Sequence, residues 1–112
     1  LEGLKQTVEG ILRKHGVKYT IEWYLSGEPF YTPPGPFSEA VSAAVEAVTG
    51  SRPAYSTGGG TSDGRFIAPT GTQVVELGVV NASIHKVNEC VRVADVDALH
   101  QMYFNVLKNL LL

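Results

Sequence analysis

The 112-residue chain is predicted to be an α/β protein, because helical and strand-type hydrophobic patterns alternate along it. Apolar residues at helical spacing open and close the sequence, strict period-two alternation fills Val17 to Leu25, and Val74-Val75-Glu76-Leu77 is a short apolar run bounded by turn residues. A chain of this length makes one domain's worth of protein and is expected to bury roughly two thirds of the surface its unfolded form would expose.

The elements follow in order. Leu4, Val8, Ile11 and Leu12 share one helical face, and Gly16 just beyond them suits a left-handed C-cap, with Arg13, Lys14 and His15 at the negative end of the helix dipole. Val17, Tyr19, Ile21, Trp23 and Leu25 then alternate with Lys18, Thr20, Glu22 and Tyr24, the pattern of a strand with one wet face. Pro29 to Pro36, rich in residues that end regular structure, reads as a hinge between two units.

A second helix is expected over Phe37 to Thr49, closed by Gly50, its alanines suited to close packing on a sheet. Arg52 to Ser56 suggests a short strand, and Thr61 to Ala68 a short helix stopped by Pro69 and Gly71. Val74 to Leu77 has the character of an interior strand, Val87 to Val93 that of a weaker one. Asp95 is placed to cap a final helix whose apolar face is Leu99, Met102, Tyr103, Val106, Leu107 and Leu110.

Composition narrows the function classes. Nine basic and eleven acidic residues are spread evenly, without the basic runs interleaved with aromatics that nucleic-acid binding needs. No stretch approaches the roughly 20 apolar residues of a membrane span. With no signal-peptide pattern at the N-terminus and a single cysteine, Cys90, a soluble cytoplasmic protein is expected, without nucleic-acid or membrane partners. The opening Leu1-Glu2-Gly3 has no initiator methionine and reads as the start of an excised piece.

Residues able to do chemistry concentrate between Thr57 and Cys90. Gly58-Gly59-Gly60 ahead of a short helix suggests a phosphate loop, but neither a following Gly-Lys-Ser/Thr nor a Gly-x-Gly-x-x-Gly is present. Two readings survive: a carboxylate seat built from glycine N–H groups with the Thr61 and Ser62 hydroxyls, or a plain glycine-rich turn. His85 sits in a loop after the Val74 to Leu77 run, but no second ligand stands at a metal-binding spacing from it. His15 and His100 read as surface residues, Cys90 as a small hydrophobe in a strand, and Asp63 and Arg65 as an ion pair or turn closure.

Together, Ser56-Thr57-Gly58-Gly59-Gly60-Thr61-Ser62-Asp63-Gly64-Arg65-Phe66-Ile67-Ala68, Val74-Val75-Glu76-Leu77-Gly78 and Asn81-Ala82-Ser83-Ile84-His85-Lys86-Val87-Asn88-Glu89-Cys90-Val91 closely resemble the C-terminal part of the bacterial succinyl-diaminopimelate desuccinylases. These are dinuclear zinc amidohydrolases related to aminoacylases and exopeptidases, and the likeness extends over the whole chain, including Ile21-Glu22-Trp23 and Leu25-Ser26-Gly27. The resemblance implies hydrolysis of N-succinyl-LL-2,6-diaminopimelate to succinate and LL-diaminopimelate by a water activated between two zinc ions, with cobalt a possible substitute, in a homodimeric cytoplasmic enzyme.

It also implies residue roles. His85 matches a zinc ligand, Gly60 and Thr61 a segment that binds a substrate carboxylate, Asn81 a substrate-contacting asparagine, and Ser26 a hinge serine that reaches substrate. The family's other metal ligands and its general base lie in motifs upstream, and none of Glu2, Glu9, Glu22 or Glu28 sits in such a motif. No catalytic residue is therefore assigned here, and the chain alone is expected to be inactive. By resemblance, residues 1–29 are the last helix and strand of an α+β lid and dimerisation domain. Residues 30–112 are the C-terminal part of a zinc-exopeptidase-like, mixed-sheet catalytic domain. Two other expectations stand beside this one: a related deacylase acting on another acylated amino acid such as acetylated ornithine, or a non-catalytic carboxylate-binding or assembly module. Uncovered edges and apolar faces predict self-association of the isolated chain.

Overall fold

Two helices packed against each other form the heart of the molecule, whose computed structural model describes residues 1–60 and 62–112. The first, α2 in chain order, spans Pro36–Thr49; the second, α4, spans Val93–Leu111. Val41, Ala44, Val45, Met102 and Val106 are buried between and around them, and Phe37, Val75 and Leu77 pack on the edge of this cluster. Ala44 is fully buried at the contact. Of the alanines predicted to pack on a sheet, Ala44 packs on a helix instead, and Ala43 and Ala47 are exposed.

Local chemistry explains both helices. Pro36 occupies the first turn of α2, where its missing N–H costs nothing, and the Ser38 hydroxyl accepts from the Gly35 N–H at 2.8 Å. Gly50, at φ 75°, ends the helix in the left-handed conformation. The expected capping of α4 by Asp95 is not found. The helix starts at Val93, and the Asp95 carboxylate instead takes two hydrogen bonds from the Arg92 guanidinium, at 3.1 and 2.7 Å. A bidentate charge-assisted pair outcompetes a single bond to a backbone N–H.

The opening helix α1, Glu2–Lys14, buries no residue and packs on no other helix among the described residues. Its end matches the prediction: Gly16 adopts φ 63°, its N–H donates to Arg13 O, and Val17 N–H donates to Leu12 O. Those paired bonds form a Schellman motif. A short helix α3, Gly64–Ile67, continues into a 3₁₀ turn, Ala68–Thr70, that stops at Gly71 with φ 87°.

The predicted mixed sheet is not present: among the described residues there is no strand. Val17 to Leu25 is outside regular structure and mostly exposed on both of its alternating faces, Arg52 to Ser56 and Val74 to Leu77 likewise form no ladder, and the expected Val87 to Val93 strand is a turn and loop that ends where Val93 opens α4. The physical reason is that a helix satisfies its backbone internally, whereas a strand needs a neighbour. At Val74 a side chain serves in place of one. Thr32 Oγ1 donates to Val74 O at 2.6 Å and accepts from Val74 N–H at 3.1 Å.

The surface follows from this. The accessible area is 8882 Å², whereas a compact protein of this mass shows about 6,000 Å². The radius of gyration is 18.8 Å, against about 13 Å for a compact domain of this length. Folding therefore covers about half of the unfolded chain's surface rather than the expected two thirds. No helix among the described residues is long and apolar enough to cross a membrane.

Candidate functional site

The glycine-rich segment meets the end of the Val17–Leu25 arm through Arg65. Its Nη1 donates to Ser26 Oγ at 2.7 Å, and its side-chain carbons lie along Gly27, where an added Cβ would come within 2.7 Å of Arg65 Cδ. The guanidinium carbon sits 4.7 Å from the Phe66 ring centroid, and Nε is buried without a partner among the described residues. Gly64 is buried for a similar reason: a Cβ there would lie 2.9 Å from Val74 Cγ1 and 3.0 Å from Phe30 Cζ. Asp63 does not pair with Arg65, so the expected local ion pair gives way to a contact between distant segments.

Of the expected carboxylate seat, Gly60 is exposed next to Thr61, and Thr61 lies outside the described residues. Ser62 is engaged from within the chain. Its Oγ accepts from Gly64 N–H at 3.1 Å and donates to the Glu76 carboxylate. Gly59 lies close to the same carboxylate. A protein carboxylate thus already uses the Ser62 hydroxyl.

The second half of the site is the loop after Gly78. Asn81 lines an open groove of about 430 Å³ together with Val79, Ile84, Glu89 and Cys90. Ser83 closes this loop by accepting from Cys90 N–H at 3.0 Å and donating to Cys90 O at 2.7 Å. Cys90 is exposed and in no strand, so it does not act as the buried hydrophobe expected of it.

His85 is exposed on a turn at φ 59°, a left-handed conformation that non-glycine residues adopt seldom. A neutral imidazole is a good zinc donor, and its exposure leaves it accessible to a metal. No group of three or more His, Cys, Asp or Glu among the described residues could hold a metal ion, so a coordination shell that included His85 would need ligands beyond them. His100 is exposed on α4, as expected.

The structure thus joins Ser26 to the glycine-rich segment and places Asn81 in a groove, and no described hydrogen bond links either to His85. Glu76 and Ser83 were not singled out from sequence, and Arg65 only as an ion-pair or turn-closing partner of Asp63. The signal for the Arg65 contact is Gly27, which leaves room for the arginine stem, while Gly64 makes room for Val74 and Phe30. Glu76 and Ser83 carry no sequence signal, since each is recognised only by a partner 14 or 7 residues away.

Comparison with known proteins adds the ancestry. The chain is 58% identical over 108 residues to succinyl-diaminopimelate desuccinylase of Nitrosococcus oceani, covering 96% of this chain and 29% of that protein. The desuccinylase of Alkalilimnicola ehrlichii is 59% identical over 108 residues, covering 96% of the chain and 29% of the relative. That of Pseudomonas fluorescens is 57% identical over 111 residues, with 99% and 29% coverage. The chain therefore spans about 29% of the length of these curated relatives. A family model described as peptidase family M20/M25/M40 matches residues 3–109, from the first turn of the first helix into the last turn of the final one. With nearly the whole sequence accounted for by that match, the chain belongs to peptidase family M20/M25/M40.

Proposed function

We propose that this chain is the C-terminal portion of a metal-dependent amide hydrolase that cleaves N-succinyl-LL-2,6-diaminopimelate to succinate and LL-diaminopimelate. The carrying observation is the 56–59% identity, over 96–99% of the chain, to relatives that bear the name succinyl-diaminopimelate desuccinylase. Residues 1–29 are read as the end of a lid and dimerisation domain. Residues 30–112 are read as the last part of a catalytic domain of the zinc-exopeptidase type. The independence of α1 from the α2–α4 pair supports that division.

In this reading Gly60 and Thr61 hold one substrate carboxylate, Ser26 reaches it from the other side of the hinge, and Asn81 orients the substrate in the groove. His85 donates one ring nitrogen to a divalent metal, most simply zinc, with the remaining ligands and the general base outside this chain. When bound, the metal supplies Lewis-acid polarisation of the amide carbonyl and an activated water. The protein residues present bind and orient the substrate through hydroxyl, amide and backbone N–H donors. The enzyme is read as a cytoplasmic homodimer.

The test is turnover by the full-length zinc-loaded protein, offered N-succinyl-LL-2,6-diaminopimelate and N-acetylornithine side by side. Succinate release with little acetate release supports the desuccinylase. The reverse supports a related deacylase. A protein that binds succinate and hydrolyses neither substrate is the non-catalytic module.

A further inference from the structure

We propose that Arg65 is a positioning residue that holds Ser26 in register with the glycine-rich segment, so that a substrate carboxylate is gripped from both sides of the proline-rich hinge. This rests on the site reading above and names a residue to which that reading gives no role.

The geometry carries the argument. Ser26 precedes the Pro29 to Pro36 connection and Arg65 follows it, 39 positions along the chain, yet Arg65 Nη1 donates to Ser26 Oγ at 2.7 Å. The arginine stem is seated along Gly27, where any side chain would collide with Cδ. Phe66 lies beside the guanidinium, 4.7 Å from its ring centroid. No carboxylate of the described residues pairs with this cation, so its polar contact is spent on Ser26.

That contact does two things. It ties the hinge serine to the segment that carries Gly60 and Thr61. It also fills an acceptor position of the Ser26 hydroxyl with a charged donor, which directs the hydroxyl's own proton elsewhere and strengthens it as a donor. An anionic oxygen of a substrate carboxylate is the acceptor such a donor suits. Placement errors of about 1 Å in such a grip can cost on the order of a hundredfold.

The test uses the full-length zinc-loaded enzyme with Arg65→Gln, Arg65→Lys, Ser26→Ala and the double variant Arg65→Gln/Ser26→Ala. Arg65→Gln is expected to raise KM about 10- to 100-fold with kcat and metal content nearly unchanged. Arg65→Lys recovers part of the loss. In the Ser26→Ala background Arg65→Gln adds nothing, because the two act as one unit. Should Arg65→Gln fail to fold, Gly27→Ala keeps the arginine but displaces its stem, and it is expected to raise KM in the same way.

An unchanged KM with only a lower melting temperature would make Arg65 merely structural and overturn the proposal. So would effects of Arg65→Gln and Ser26→Ala that multiply. A wild-type enzyme active only on an acetylated amino acid overturns the desuccinylase reading alone, and the same KM cycle is then read on that substrate. A wild type inert on both overturns the two together.

Discussion

Ser83 holds Cys90 by both ends of its backbone: the hydroxyl accepts from Cys90 N–H at 3.0 Å and donates to Cys90 O at 2.7 Å. One side chain thereby does what a neighbouring strand would do in a ladder. Between these residues the chain turns through Lys86 N–H to Ser83 O and Glu89 N–H to Lys86 O, with Lys86 Nζ on Ala82 O. His85 rides on this closed loop, so its position depends on a serine two residues away.

Removing that hydroxyl with Ser83→Ala is expected to lose about 1–2 kcal/mol of local stability, two hydrogen bonds in a solvent-exposed setting. Hydrogen exchange at the Cys90 amide reads this directly and should quicken roughly 5- to 30-fold. Exchange at the wild-type rate would mean that the turn bonds alone close the loop.

The left-handed backbone of His85 allows its conformational and ligand roles to be separated. Asparagine tolerates φ near 60°, whereas alanine is penalised by about 1–2 kcal/mol. In the full-length protein both His85→Asn and His85→Ala are expected to lose one metal ion per active site, while His85→Ala alone melts further below His85→Asn than metal loss explains. Metal analysis and thermal unfolding of the metal-free proteins check the two parts. Full metal content in either variant would remove His85 from the coordination shell.

What was legible in the sequence follows the range of the forces involved. The α1 end at Gly16, the Gly50 stop of α2, and the α4 stripe containing Met102 and Val106 are readable because helix bonds and caps act within a few residues, whereas Pro36, read as part of the hinge, in fact opens α2. The alternation from Val17 to Leu25 specifies side-chain faces but not a partner, and without pairing it does not become a strand. At Asp95 two local options competed, and the Arg92 ion pair won over the cap. The roles of Ser26, Gly60, Thr61, Asn81 and His85 came from family resemblance. The Arg65–Ser26 contact escaped notice because nearby Asp63 was the simpler partner on paper.

Acid should weaken the packing around α2 through Glu39. Tyr55 OH donates to its carboxylate at 3.0 Å and Arg52 pairs with it, in that order of effect, and together they hold its pKa below the ordinary 4.5. Tyr55 is in turn reached by the buried Ser42 hydroxyl. A depressed folded-state pKa means the stabilisation is fully present above about pH 5 and is lost as pH falls from 4.5 through the folded value. Arg52, shifted upward, stays protonated throughout and contributes no step. Denaturant unfolding between about pH 2 and 7 should therefore show a loss below 4.5 that Glu39→Gln flattens and about 1 M salt reduces. An identical acid slope in Glu39→Gln would assign the loss to other carboxylates.

The surface makes a last prediction, for the isolated 112-residue chain. Phe104, Leu107 and Leu111 lie at i, i+3 and i+7 on the outer side of α4, all more than half exposed, and with Lys108 and Leu112 they line an open apolar groove of about 390 Å³. The total accessible area is 8882 Å², about 3,000 Å² above that of a compact protein of the same mass. At roughly 25 cal/mol per Å², burying even a few hundred Å² of such apolar surface outweighs much of the loss of freedom on association. Size exclusion with light scattering should show dimers or larger species at about 100 μM. Leu107→Lys places a charge in the centre of the stripe without touching buried Val106 or Met102, and it should shift the distribution toward monomer while leaving helix content unchanged. A monodisperse wild-type monomer at that concentration would mean that the exposed stripe of α4 does not drive association.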